Sequence, residues 1–275
     1  MGAEMRAISG IDMALWDLRA QAAGVPLRRL LSATAIDRVP AYASVLWPET
    51  PELVGASARA FVDAGYRFVK YGWAPMGPDL ALDIELVAAA RDALGDDVGL
   101  MVDAGRAWTA PEAMQRAERF AEYDTFWLEE PLHPYDNTGY AQLSAASPVP
   151  IAAGEAVTLL EEYDALLTTG LHFVQPDLGR VGGITYARRL AASALALGCR
   201  PVPHAFGTGV LLAASAQWTA AAPEPLTEYT RAPSPLARDL AHHTMEFREG
   251  YLHLDDTPGL GVTLDDDVIA RYRVD

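Results

Sequence analysis

After Pro40 the sequence settles into a rhythm that few folds can accommodate. Short runs rich in β-branched and aromatic residues alternate with alanine-rich stretches of helical character, and Gly, Pro or Asp separates each pair. The strand-like runs lie at 39–46, 66–72, 98–103, 126–130, 151–155, 173–177, 200–204 and 226–229. The helix-like stretches between them lie at 51–64, 79–94, 111–123, 138–145, 159–168, 183–197 and 209–221. Strands that alternate with helices pair in parallel, and eight such units can close on themselves as an α/β (β/α)8 barrel of the TIM type. A doubly wound sheet is the rival, but its Gly-x-Gly-x-x-Gly turn after the first strand is absent. With 275 residues, about half of them hydrophobic, the chain can bury one large barrel core.

The flanks do not follow the rhythm. Residues 8–23 read as an amphipathic helix, with Ile8, Ile11, Leu15 and Leu18 at helical spacing and Gly24-Val25-Pro26 as its stop. Residues 246–254 alternate like a hairpin, Pro258-Gly259-Leu260-Gly261 forms a turn, and 265–272 suit a short helix. The expected organisation is a helical segment over 1–36, the barrel over 37–245, and a C-terminal hairpin and helix over 246–275 packing on it.

Charge narrows the partners. The net charge is −16, from 37 acidic and 21 basic residues, which argues against a nucleic acid or an anionic membrane because either requires a basic face. An acidic protein that binds an anionic substrate needs local positive charge, and a metal held by carboxylates supplies it. The single cysteine, Cys199, excludes an intramolecular disulfide and a cysteine-cluster metal site. No secretory signal opens the sequence and no apolar run is long enough to span a bilayer, so the expected location is the cytoplasm.

Barrels of this kind place their chemistry where strands run into the following loops. Strand two carries Lys70, strand three ends in Asp103, strand four in Glu129 or Glu130, and strand five in Glu155. Strands six, seven and eight offer Asp177, His204 and Glu228. Any one such acid could be a solvated loop residue, an N-cap or half of a salt bridge. Three carboxylates on consecutive strands, spaced 26 and again 26 residues apart, would repel one another at one mouth unless a cation lay between them. Oxygen-only ligands suit Mg²⁺, with Mn²⁺ as a possible substitute.

These residues resemble a known family. The run from Ile8 to Leu18, Ile-Ser-Gly-Ile-Asp-Met-Ala-Leu-Trp-Asp-Leu, is similar to the helix preceding the barrel in the mandelate racemase subgroup of the enolase superfamily. Met101-Val102-Asp103-Ala104-Gly105, Trp127-Leu128-Glu129-Glu130-Pro131 and Ala153-Gly154-Glu155 resemble its metal motifs in order. The segment from Gln175 through Asp177 to Gly182-Gly183, then His204, resembles its His–Asp dyad, and Pro258-Gly259-Leu260-Gly261-Val262 matches its tail. The resemblance implies Asp103, Glu129 and Glu155 as metal ligands, with Glu130 behind them. It implies Lys70 and Glu228 as partners of the substrate carboxylate, and His204, oriented by Asp177, as the base.

Two departures matter. Many racemase-type members carry Lys-x-Lys on strand two, whereas this sequence has Lys70-Tyr71-Gly72 and lacks the second base. The family also begins with an α+β capping domain, and this sequence starts near the end of that region. The resemblance therefore implies a Mg-dependent lyase that takes the proton beside a carboxylate and dehydrates an acid sugar, an aldonate or aldarate, to a 2-keto-3-deoxy acid. Racemase or epimerase activity, cycloisomerisation, and a weak or inactive capless barrel remain the alternatives. Uncovered cap-facing surface would favour a homo-oligomer.

Overall fold

The computed structural model describes residues 2–273. Two helices, α1 (Gly2–Ala22) and α2 (Leu27–Leu31), precede the barrel. The barrel strands are β1 (Arg38–Leu46), β2 (Phe68–Gly72), β3 (Gly99–Asp103), β4 (Thr125–Glu129), β5 (Ile151–Ala153), β6 (Phe173–Val174), β7 (Arg200–Pro201) and β8 (Thr227–Thr230). Between them run α3 (Pro51–Asp63), α4 (Leu80–Leu94), α5 (Ala110–Phe120), α6 (Asn137–Ala146), α7 (Leu160–Leu167), α8 (Gly183–Ala196) and α9 (Gly209–Thr219). Each expected strand and helix is present, with ends displaced by a few residues.

Strands β1 to β7 pair in parallel in chain order, and β8 returns to pair with β1. At the seam between β7 and β8 no backbone ladder forms among the described residues. Side chains span it instead: Arg200 donates to the carbonyls of Glu224 and Pro225, and Ala205 N–H donates to Glu228. Two cores result. The larger fills the space between sheet and helices, and the smaller plugs the barrel with Tyr42, Met101, Trp127, Ala152, Val202 and Leu226. Strand alternation decides which side chain joins which core. On β2, Tyr71 points outward, stacks on Trp47 at 4.8 Å and donates to Ser57 on α3, so Lys70 points inward.

The flanks differ in part from the sequence reading. In α1 the stripe of Ile8, Ile11, Leu15 and Leu18 is not the buried face; these residues are 47–62% exposed. The docked face is Met5, Ser9, Met13, Trp16 and Ala20. Hydrogen bonds explain the choice. Trp16 donates to Thr185 at 2.9 Å, Asp12 accepts from the Thr185 backbone at 3.0 Å, and Ser9 accepts from Gly182 at 2.9 Å. A short helix α10 (Pro235–Arg238) follows β8. The small sheet of β9 (Ala241–His243) and β12 (Val262–Leu264) was not foreseen. The expected hairpin forms as β10 (Glu246–Arg248) and β11 (Tyr251–His253), and β11 also pairs antiparallel with the start of β1. The tail closes with α11 (Asp266–Tyr272), and residues 274–275 of the expected C-terminal segment lie outside the described residues. No described helix is long and apolar enough to cross a membrane.

Candidate active site at the barrel mouth

Register brings the acids together. Gly72 on β2 sits beside Asp103 on β3, which sits beside Glu129 on β4. Strands β5 to β7 are shorter than expected, so Glu155, Asp177 and His204 stand just beyond strand ends, where Asp177 and His204 still form a parallel bridge. Gly154 makes this turn possible for β5. Its φ is +131°, and a Cβ there would lie 3.1 Å from the Gln175 nitrogen. Tyr163 then ties the turn down by donating to the Gly154 and Val157 carbonyls.

Asp103, Glu129 and Glu155 each present a carboxylate oxygen within 4.8 Å of the others, and all three are buried. Lys70 and His204 make the shortest cationic contacts to them, and Arg180 lies 3.6 Å from Glu155 Oε1. Lys70 Nζ lies 2.5 Å from Glu129 Oε1, 3.1 Å from Glu228 Oε1 and 4.0 Å from Asp103 Oδ2. The Glu228 contact is an ion pair without the alignment of a hydrogen bond. His204 uses both ring nitrogens, with Nδ1 2.8 Å from Asp177 Oδ2 and Nε2 2.9 Å from Glu155 Oε2. The seven predicted site residues therefore share one mouth.

The electrostatics show strain of a specific kind. Burial and the neighbouring Glu129 charge push Asp103 well above the usual carboxylate range, and burial also raises Glu129. Glu130 is raised to about 7 by burial and the Glu155 charge. Burial opposes ionisation of Glu155 too, but the His204 contact outweighs it and holds this carboxyl down to about 2. Burial disfavours the charged form of His204, yet the Glu155 and Glu228 charges raise its affinity for a proton well above the ordinary value. Lys70 behaves likewise through Glu129 and Glu228.

Do these donors fit a metal? Five carboxylates (Asp103, Glu129, Glu155, Asp177 and Glu228) face three cationic side chains, Lys70, His204 and Arg180. The carboxylates outnumber the cations, so the cluster is short of positive charge. A hard cation among three buried carboxylate oxygens would remove the repulsion that makes Asp103 hard to ionise. The donor set fits.

Two residues at this site, Gln175 and Arg180, were not singled out from the sequence, whereas Glu130 was expected behind the metal ligands. Gln175 donates to Glu129 Oε2 at 2.6 Å, and its position two residues before Asp177 on an alternating strand could have revealed it. Arg180 Nε lies 3.0 Å from Asp177 Oδ2, while its Nη1 donates to the Glu155 carbonyl at 3.0 Å. Glu130, at a φ of +40°, turns away from the mouth, accepts from Gly154 N–H and lies 3.7 Å from Arg106.

The family model for the enolase C-terminal domain-like fold matches residues 53–268. The chain belongs to the enolase superfamily. Residues 1–32 match the N-terminal domain of mandelate racemase and muconate lactonizing enzyme, the family indicated by the helix and metal motifs. Among enolase-superfamily relatives, a D-galactarolactone cycloisomerase of Agrobacterium fabrum is 32% identical, covering 99% of this chain and 75% of that protein. An L-talarate/galactarate dehydratase of Salmonella typhimurium is 37% identical, covering 96% of this chain and 64% of that protein. The crystal structure of a 3,6-anhydro-D-galactonate cycloisomerase from Zobellia galactanivorans superposes with a TM-score of 0.93 at 30% identity, over 98% of this chain and 76% of that one.

Proposed function

We propose that this enzyme abstracts the proton α to the carboxylate of an acid sugar and expels the β-hydroxyl as water, leaving a 2-keto-3-deoxy acid. One observation carries the choice of dehydration: at position 72 of β2 there is no room for a second base. His204 is held by Asp177, whereas a Cβ at Gly72 would lie 2.8 Å from Asp103 Oδ2 and 2.9 Å from Asp103 Cβ. A racemase of this type needs a base on each face of the α-carbon. Loss of water needs one group that first takes the proton and then delivers it to the leaving hydroxyl.

Each residue then has a task. Asp103, Glu129 and Glu155 would hold Mg²⁺, with Mn²⁺ as substitute, and the bound cation would supply charge stabilisation as the α-proton leaves. Lys70, buried between Glu129 and Glu228, meets the substrate carboxylate with a fixed positive charge in a low-dielectric site. Asp177 keeps the His204 proton on Nδ1, so that Nε2 faces the substrate once it leaves Glu155. Glu228 is anchored by the Ala205 N–H and faces the same carboxylate. The remaining expectations follow from this chemistry and charge: a cytoplasmic enzyme, a small-molecule substrate, and self-association through uncovered apolar surface such as the Ile8–Leu18 stripe.

Cycloisomerisation is the second reading, favoured by the Agrobacterium and Zobellia relatives, and it shares the proton-abstraction step. A panel of acid sugars and their lactones, incubated with Mg²⁺ and followed by NMR, separates them. Dehydration yields a 2-keto-3-deoxy acid and cycloisomerisation a ring-opened or rearranged isomer without loss of water. Racemised substrate as the sole product would overturn both.

A further inference from the structure

Three arginines gather at the rim of a protein that carries a net charge of −16. Beside the cavity that contains Lys70, Asp103 and His204, of about 260 Å³, lies a second cavity of about 340 Å³. The two share Trp73, Glu155 and Arg180 in their walls and therefore adjoin. The second is lined by Arg6, Arg106 and Arg180, with Thr158 adding a hydroxyl, and among the described residues its only acid is Glu155. Its lining carries net positive charge.

The three guanidinium groups are not equally occupied. Arg180 is committed to Asp177 and Glu155. Arg106 stacks over Trp73 at 5.4 Å, and its contact with Glu130 is long, 3.7 Å. The side chain of Arg6, exposed on the first turns of α1, has no hydrogen-bond or ion-pair partner among the described residues. Arg6 also borders the neighbouring cleft beside Asp177 and Arg180, which puts it against the same rim. Trp73 stands between the cavities, 44% exposed, on a backbone held at a φ of +68°. A non-glycine residue in that conformation carries a cost that the surrounding structure must offset, and here the residue lines both cavities.

From this arrangement we infer that the second cavity receives an anionic group at the far end of the substrate, so that the enzyme acts on an aldarate, a sugar acid with a carboxylate at each end. One carboxylate meets Lys70, the carbon chain passes Trp73, and the other is held by Arg6 and Arg106, whose planar forks match a carboxylate. A neutral hydroxymethyl end, as in an aldonate, leaves the same guanidinium groups without an acceptor. The inference rests on the proposed proton abstraction for which end reacts, but the recognition itself is a binding property.

The test uses the Mg²⁺-loaded protein and three ligands of one configuration: an aldarate, the corresponding aldonate, and the aldonate carrying a terminal phosphate. Calorimetric affinity and kcat/KM are both measured, for the wild type and for Arg6→Gln, Arg106→Gln and Arg6→Glu. Charge-assisted hydrogen bonds are strong enough that the aldarate should bind at least about tenfold more tightly than the aldonate. Each glutamine variant should shrink that ratio, and Arg6→Glu should abolish or reverse it. A ratio near one in the wild type, or one that survives Arg6→Glu, overturns the inference. Preference for the phosphate ester over the aldarate overturns the assignment of a far carboxylate. An arginine-dependent preference in affinity without turnover of any acid sugar would uphold the subsite while refuting the proposed reaction.

Discussion

Gly72→Ala tests how tightly the metal ligands are built, because its effects on stability and on metal binding should part company. The new Cβ would sit 2.8 Å from Asp103 Oδ2, 2.9 Å from its Cβ and 3.1 Å from its Cγ. The neighbours are a side chain fixed by burial and by the hydrogen bond from Gly105 N–H to Oδ1, so Asp103 must rotate or β2 must shift. Overpacking of this size costs about 1–3 kcal/mol, while replacing a strand glycine by alanine returns about 0.5–1 kcal/mol. The net loss in the metal-free protein should therefore be small, at most about 2.5 kcal/mol. Metal affinity should suffer more in proportion. Each tenfold loss in affinity removes about 1.4 kcal/mol of the stabilisation conferred by a fixed saturating metal concentration. Urea unfolding with and without Mg²⁺, beside calorimetric titration, measures both. A Gly72→Ala protein with wild-type Mg²⁺ affinity would refute the claim that this glycine exists to make room for Asp103.

Asp103→Asn should abolish high-affinity Mg²⁺ binding and with it the rise in Tm on adding the metal; unaltered calorimetry would remove Asp103 from the ligand set. Lys70→Met leaves Glu129 and Glu228 buried without their cation, and should cost about 3–5 kcal/mol in a chelator, partly recovered with Mg²⁺. Equal loss with and without metal would mean that Lys70 and the metal do not share those charges. On α1, Trp16→Phe should cost about 1 kcal/mol through the lost bond to Thr185, whereas Leu15→Glu on the exposed stripe should stay within about 0.5 kcal/mol and weaken self-association measured by sedimentation.

The barrel was legible because each strand–helix unit carries its own local punctuation. Thr50 caps α3, Asp79 caps α4 and Thr208 caps α9, each just where the periodicity changes. The carboxylate cluster was legible for a different reason: parallel pairing in chain order forces successive strand ends onto one rim, so order in sequence becomes order in space. What stayed hidden depends on contacts between distant segments. The exposure of Ile8, Ile11, Leu15 and Leu18 follows from hydrogen bonds that Ser9, Asp12 and Trp16 make to the start of α8, some 170 residues away, and these override the more apolar face. The pairing of β9 with β12 is likewise non-local. Arg6, Arg106 and Arg180 carry no shared spacing that would mark them as neighbours, and only the fold gathers them around one cavity.

The central claim is that His204, held by Asp177 over the carboxylate cluster, removes the proton beside a substrate carboxylate. Its most direct test is exchange of that α-proton in deuterated water, followed by NMR with Mg²⁺ and an acid sugar, for the wild type and for His204→Asn. The wild type should exchange or lose the proton of one configuration, and His204→Asn should slow that step by about 10²–10⁴-fold while still binding Mg²⁺. Exchange in His204→Asn at the wild-type rate would contradict the account and assign the proton to another group.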